Sequence, residues 1–250
     1  MEVIPITIQK IVPPQDDVLT RILAAAWKPK DGDILCISSK VIAIHEGECV
    51  EGGDRAKKEA LARELADLHV ELAYGGTRRA LFTITKGVLI RTAGIDESNG
   101  NGYFVLWPQD PHASAKYFKR AIEKKYGVKL QGVIVTDSYS VPLRRGAIGF
   151  ALGWSGINPI KDYRGTKDVF GRKLKVTVAN VVDAIAASAT LVMGESGAST
   201  PLCVVRGIVV PKEKKLKVGS ELDRSPVDLK NDIFSAFISS QKWKKGGSEK

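Results

Sequence analysis

Apolar and polar positions alternate in short blocks that predict strands and amphipathic helices in irregular succession. Glu2 to Ile8 intersperses branched apolar residues with polar ones and predicts an opening strand, broken at Pro5. From Asp16 to Trp27, Val18, Leu19, Ile22, Leu23 and Ala26 recur at helical spacing, with Asp16 or Asp17 placed to cap the first turn. Asp31-Gly32-Asp33 makes a turn. The apolar run Ile34 to Ile37 then predicts a strand that enters Ser38-Ser39-Lys40, followed by a second strand over Val41 to Ile44. Arg55 to Leu72 carries Ala60, Leu61, Leu65, Leu68 and Leu72 on one face and predicts an amphipathic helix. Phe104 to Trp107 reads as a strand, Ser114 to Tyr126 as a basic helix and Val128 to Val135 as a buried strand.

Beyond Gly149 the pattern loosens into glycine-rich segments (Gly149, Gly153, Gly156) that read as loops, and Lys173 to Val178 shows strand alternation. Asn180 to Met193 is an almost wholly apolar, alanine-rich helix that needs cover on most sides, inside the fold or at a subunit interface. Leu202 to Val210 reads as a further strand, and Pro226 to Phe237 as a terminal helix. Strands and helices mix without a regular βαβ period, so the fold class expected is α+β, mixed sheets with packed helices and no Rossmann unit. No GxxxxGK[ST] P-loop is present, and the Gly149/Gly153/Gly156 spacing is not followed by helix-forming sequence.

Composition changes this picture little. The chain has 250 residues, 44% hydrophobic and 26% charged, which is ordinary for a globular protein of one large or two modest domains. No apolar run approaches the roughly 18 residues of a membrane helix, and no signal-peptide pattern opens the chain, so the cytoplasm is the expected location. Cys36, Cys49 and Cys203 are scattered without metal-ligand spacing, and Cys36 and Cys203 sit in apolar runs as reduced core residues. The formal charge of +10 is partly concentrated in Lys212, Lys214, Lys215, Lys217, Lys242, Lys244 and Lys245. No aromatic residues are interleaved at base-stacking spacing, so the excess reads first as a solvated basic surface and, functionally, as a field that attracts phosphorylated or polycarboxylate ligands rather than nucleic acid.

Chemistry concentrates between Asp96 and Gly146. A β-branched run precedes each of two clusters, Asp96-Glu97-Ser98-Asn99-Gly100 and Asp137-Ser138, and Arg144-Arg145 follow the second. Carboxylates at two strand ends, backed by arginines, suit a divalent cation and phosphate, because hard cations take oxygen ligands shared with substrate phosphates. Ser38, Ser39 and Lys40 offer two hydroxyls and a cation at another strand end, equally readable as a capped turn with a surface lysine. No Ser/His/Asp or Cys/His set competes.

Several motifs together resemble one family, the coenzyme F420-0:γ-glutamyl ligases. They are Asp96-Glu97-Ser98-Asn99, Pro108-x-Asp110-Pro111-x-Ala113-Ser114-Ala115, Asp137-Ser138, Asp162-Tyr163-Arg164-Gly165-x-x-Asp168-x-Phe170-Gly171-Arg172 and Leu191-Val192-Met193-Gly194. The resemblance spans about residues 1 to 210 with order and spacing kept. It implies an intertwined, two-lobed homodimer and a ligase core over 1–210, with a second lobe inserted at about 80–170; a basic segment with a terminal helix (211–245) and a disordered tail (246–250) would follow. The implied reaction joins L-glutamate to coenzyme F420-0 by an amide bond, using GTP, Mg²⁺ or Mn²⁺, and stimulation by a monovalent cation such as K⁺. Carried over by position, Asp96, Asp137 and Ser138 would be metal ligands. Nucleotide contacts would fall on Ile4-Pro5-Ile6-Thr7, Ser38-Ser39, Asn99 and Gly194-Glu195. Making an amide from a carboxylate requires activation, most simply as an acyl phosphate; Lys40, Arg144 and Arg145 are the cations expected to stabilise the transferring group or hold acceptor carboxylates.

The chain departs from the family pattern after Asp137-Ser138, where Tyr139-Ser140-Val141-Pro142-Leu143-Arg144 stands in place of Phe-Gly-Arg-Pro-Trp-Arg. Asp183-Ala184 replaces an Asp-Glu pair. These changes bear on the acceptor more than on the reaction. A glutamate-bearing pterin or folate is the alternative acceptor, and a ligase-fold binding protein without activity is the alternative function.

Overall fold

In the computed structural model, residues 1–195, 197, 199–212 and 227–247 are described. In chain order the first elements are β1 (Glu2–Ile6), α1 (Val18–Ala24), β2 (Ile34–Ser38), α2 (Ser39–Glu46), β3 (Cys49–Glu51) and α3 (Arg55–Leu65). There follow β4 (Leu68–Tyr74), β5 (Arg78–Thr85), β6 (Val88–Arg91), β7 (Tyr103–Val105), α4 (Pro111–Tyr126), β8 (Gly132–Ser140) and β9 (Ala147–Ser155). The last are β10 (Ile160–Asp162), β11 (Val178–Asn180), α5 (Val181–Met193), β12 (Leu202–Arg206), α6 (Ser235–Ser239) and β13 (Lys244–Lys245). The class is α+β, as expected.

The chain divides into two compact units. The first comprises Met1–Lys10, Asp17–Ile42 and Asp110–Ser225, the second Ile11–Asp16, Ala43–Gln109 and Pro226–Lys250, so far as these are described. The first is built on a five-stranded sheet ordered β1-β12-β2-β8-β9, in which β2 and β8 run parallel and the other neighbours antiparallel. Pro5 sits in β1 at the edge of this sheet, where a missing N–H is tolerated. Alternate residues sort the core: Ile34, Cys36 and Ile134 pack with Val182, Ile185, Ala186 and Ala189 of α5. Cys36 and Cys203 are register partners on adjacent strands, buried as free thiols, and burial pushes Cys203 up to about 11.

The glycine-rich stretch expected as loop is instead strand β9, and its glycines have a packing reason. A Cβ on Gly149 would lie 2.0 Å from Thr190 Oγ1 and 2.8 Å from the Ala186 carbonyl, while one on Gly153 would lie 2.5 Å from the backbone of Pro111. Helices α5 and α4 therefore reach the strand only because these positions lack side chains. A register shift between Val135 and Thr136 separates the two glycines, so that they look to different helices. Helix α4 starts on a strong signal, Asp110 accepting from the N–H groups of His112 and Ala113 with Pro111 just inside.

The second unit holds the antiparallel sheet β13-β4-β5-β6 and the pair β3-β7. Ala62 of α3 packs there with Leu81, Ala93, Ile95, Phe104 and Leu106. Further expectations fail elsewhere in the chain. The helix drawn over Arg55 to Leu72 ends at Leu65, and Leu68–Tyr74 is a strand: Leu68, Val70 and Leu72 also alternate with His69 and Glu71, so both periods were present. The strand drawn over Val41 to Ile44 is part of α2, whose consecutive apolar residues are all buried, a pattern that does not tell a buried helix from a strand. His45 accordingly stands on a helix, not at a strand end. At the C-terminus a short 3-10 turn over Leu229–Asn231 and the five-residue α6 occupy part of the expected helix; Pro226, Lys214, Lys215, Lys217 and residues 248–250 lie outside the described residues. The backbone N–H groups of Gly246 and Gly247 donate to Asp67 and Arg63 carbonyls.

Candidate active site

In the first unit, strand direction alone gathers the candidate residues. Strands β1, β2 and β8 point the same way, so Ile6-Thr7, Ser38-Ser39-Lys40 and Asp137-Ser138 all fall at one end of the sheet. Ligands of α/β sheets favour the carboxyl ends of parallel strands, and Ser38 pairs with Thr136 in the parallel ladder there. At that end β2 passes into α2 without a loop, which directs the first-turn N–H groups of α2 toward the same place. The loop after α5 arrives there too. The Ile8 N–H donates to the Ser199 carbonyl at 3.1 Å and the Ser38 N–H to Pro201 at 2.9 Å. Gly194 caps α5 at φ +73°, and Thr200 Oγ1 donates back to Met193. Glu195 is exposed beside it. Ile4 and Pro5 lie farther back in β1, opposite Val204 and Cys203.

The centre of this cluster is Asp137. Its carboxylate accepts from the Ser39 hydroxyl at 2.9 Å and from the Ser138 N–H at 2.7 Å. Ser39 is almost wholly buried, so the acid is held by a fixed donor at the helix start. An ionised carboxylate offers about four acceptor sites, enough in general to combine hydrogen bonds with a cation or a phosphate-bound water. Lys40, half-buried, occupies the second position of α2. Arg144 and Arg145 are exposed in the turn between β8 and β9, past Asp137 on the same hairpin.

Asp96 and Asn99 belong to the second unit. Asp96 exchanges both backbone hydrogen bonds with Val105, and its carboxylate accepts from the Ser98 N–H at 2.7 Å and the Ser98 hydroxyl at 3.0 Å. Asn99 stands at φ +57° in the turn that follows. The loop is seated by Gly94 (φ +74°), where a Cβ would lie 2.2 Å from the Trp107 ring, and by an ion pair from Lys58 of α3 to Glu97 at 2.8 Å. Among the described residues, no three or more His, Cys, Asp or Glu side chains gather to hold a metal by themselves. A cation here would have to share its shell with substrate oxygens, as Mg²⁺ commonly does.

One acid was noted in the sequence only as a departure. Asp183, at the start of α5, accepts from the Ala151 N–H at 2.9 Å and from Asn180 Nδ2. Ala151 is opposite Thr136 and adjoins Leu152, the extra residue at the register shift of β9, so this carboxylate takes up an amide beside an irregular point of the ladder. Burial pushes its carboxyl up, against the lowering effect of both hydrogen bonds. No sequence spacing links positions 151 and 183; only the overlooked strand reveals the contact.

No described helix is long and apolar enough to cross a membrane. Comparison with known proteins now bears on the cluster. The sequence model of the F420-0:Gamma-glutamyl ligase family matches residues 6–207. The chain is 36% identical over 230 residues to a coenzyme F420:L-glutamate ligase of Archaeoglobus fulgidus, covering 87% of this chain and 92% of the relative. It is 33% identical over 219 residues to the protein of the same name in Methanopyrus kandleri, covering 82% and 86%. A third, from Methanocaldococcus jannaschii, is 33% identical over 202 residues, covering 76% and 81%. With the match running through the strand ends and the loop that surround Asp137, the chain belongs to the F420-0:γ-glutamyl ligase family.

Proposed function

We propose that the protein is a GTP-dependent, divalent-metal-dependent ligase that joins L-glutamate to coenzyme F420-0 through an acyl phosphate. The observation that carries this reading is Asp137, held by buried Ser39 where two parallel strands end and α2 begins. Phosphoryl transfer asks a protein chiefly for positioning and for charge stabilisation, and this end of the sheet supplies both. The α2 first-turn N–H groups and Lys40 face negative charge, and Ser38, Ser39, Thr7 and the loop at Gly194-Glu195 orient the nucleotide. Asp137 and Ser138 offer oxygen ligands for Mg²⁺ or Mn²⁺ at this end of the sheet; in the second unit Asp96 offers a carboxylate for a cation and Asn99 a nucleotide contact. When bound, the cation screens charge between phosphates. Arg144 and Arg145 hold anionic groups of the acceptor, so that its carboxylate takes the γ-phosphoryl group with release of GDP, and the glutamate amine then displaces inorganic phosphate, losing a proton, to form the amide.

The test is mass spectrometry of products after incubation with glutamate, GTP, Mn²⁺ and a panel of acceptors including F420-0, folates and pterins. A product heavier than F420-0 by one or more glutamyl residues is expected. Asp137→Ala is expected to abolish GTP turnover with an unchanged circular dichroism spectrum. Normal phosphate release from that variant would remove Asp137 from the site, and a product formed only on a folate would replace the acceptor.

A further inference from the structure

The β8–β9 hairpin carries, toward its tip, apolar side chains that its own unit leaves largely uncovered. Register pairs Asp137 with Phe150, Tyr139 with Ile148 and Ser140 with Ala147. Cross-strand partners, and residues two apart on a strand, share a face. Asp137, Phe150, Tyr139 and Ile148 therefore line one side of the ribbon, and Val141 continues the alternation toward the turn. Phe150 is buried and supports the Tyr139 ring at 4.7 Å, while Ile148 is 47% exposed. At the tip, Leu143 is 97% exposed and held at φ +59°, a conformation that a leucine adopts only with strain. Both the strain and the exposed apolar surface favour glycine or asparagine at this position as far as folding is concerned. Beside it, Arg144 and Arg145 make no ion pair among the described residues, and Arg144 reaches only the Leu143 carbonyl.

Resting on the function proposed above, we infer that this face is the acceptor platform and that Leu143 determines which acceptor is bound. The occupant that fits is a small molecule with an apolar, ring-like body and anionic groups. Its body lies along Tyr139, Ile148 and Leu143; its anionic groups meet Arg144 and Arg145; its reacting carboxylate lies toward Asp137. A second copy of the chain would cover the apolar residues as well, but two uncommitted arginines at the rim favour an anionic ligand.

Steady-state kinetics with F420-0, glutamate and GTP test the inference on wild type, L143G and L143M. Glycine relieves the strained φ and removes the contact, so L143G is expected to fold with a Tm no lower than wild type. Its KM for F420-0 should rise about tenfold, a typical consequence of losing one apolar contact in a pocket. KM for GTP and for glutamate should stay within about twofold, and L143M should resemble wild type. Wild-type turnover with an unchanged KM for F420-0 in L143G overturns the inference and leaves the proposed function standing. A change in sedimentation mass in L143G also overturns it, assigning the face to a second copy. Wild type that does not glutamylate F420-0 fails the underlying reading before any variant is made.

Discussion

At the residue scale, the acids of this chain divide by what surrounds them. Asp33 is 1% exposed and takes two parallel bonds from Arg206 Nε and Nη2, each 2.7 Å, plus the Lys30 N–H. It lies at the start of β2, the opposite end of the sheet from Asp137, and the guanidinium is held more firmly charged by the pair. This acid is fully used by the fold. Replacing it by alanine strands a partly buried guanidinium and an unpaired amide, and should lower stability by about 3 kcal/mol in urea titration without a direct effect on the cluster at Asp137. Asp137 differs in kind: a buried hydroxyl and the next residue's amide hold it at the strand end where the candidate site residues gather. That contrast was half legible in the sequence. Asp137-Ser138 after a β-branched run announced a polar strand end, and the Ser38-Ser39 pair announced another; that Ser39 and Asp137 touch depended on β2 and β8 being parallel neighbours, which no local pattern states. Asp183 was less legible still, since its partner is a backbone amide on a strand that the glycines disguised.

At the scale of elements, glycine was the source of the largest misreading, and it supplies a sharp prediction. In β9 the sequence suggests loop because glycine is a poor strand former, yet Gly149 and Gly153 are where α5 and α4 come closest. Gly149→Ala should destabilise by about 1–3 kcal/mol, the usual range for overpacking. Adding Thr190→Ala should recover only part of the loss, because the Ala186 carbonyl remains 2.8 Å from the new methyl. Full recovery in the double variant would show that α5 is free to shift. By contrast α4, expected over Ser114 to Tyr126, ends where it was drawn and starts three residues earlier, at Pro111, where the Asp110 cap and Pro111 are the signals that mark its first turn. In the second unit the pairing of β13 with β4 brings Lys244 opposite His69, which also lies near Arg63. Burial, then these two cations, lower the histidine below its ordinary value of 6.5. The unfolded chain therefore binds the proton more readily than the folded one. Stability from this group is complete above the ordinary value and is lost as pH falls from 6.5 toward the lower folded value. The urea midpoint should drop between about pH 7.5 and 5.5, and the drop should be smaller in His69→Gln. An equal drop in both proteins would place the sensitivity elsewhere.

At the scale of the whole molecule, the question is what covers the apolar surface that one chain leaves open. The alanine-rich helix α5 buries Val182, Ile185, Ala186, Ala189 and Met193 against the sheet, so the cover demanded by its sequence is met on one side. Leu191, however, is 83% exposed near its end, and in the same unit Val169, Phe170 and Val176 are each more than four-fifths exposed. The last three belong to the excursion between β10 and β11, where Asp162 binds Arg164 and Asp168 accepts from Phe170 and Arg172. An excursion with that much internal hydrogen bonding has a defined shape, and a defined shape displaying valine and phenylalanine is more economical as an interface than as a solvated loop. We propose that the homodimer implied by the family resemblance covers these side chains. Sedimentation should give about twice the chain mass of 27.1 kDa, with Phe170→Ser shifting the equilibrium toward single chains. A wild-type mass of one chain, at concentrations where the enzyme turns over, would leave these side chains bare in the active protein and would defeat the dimer.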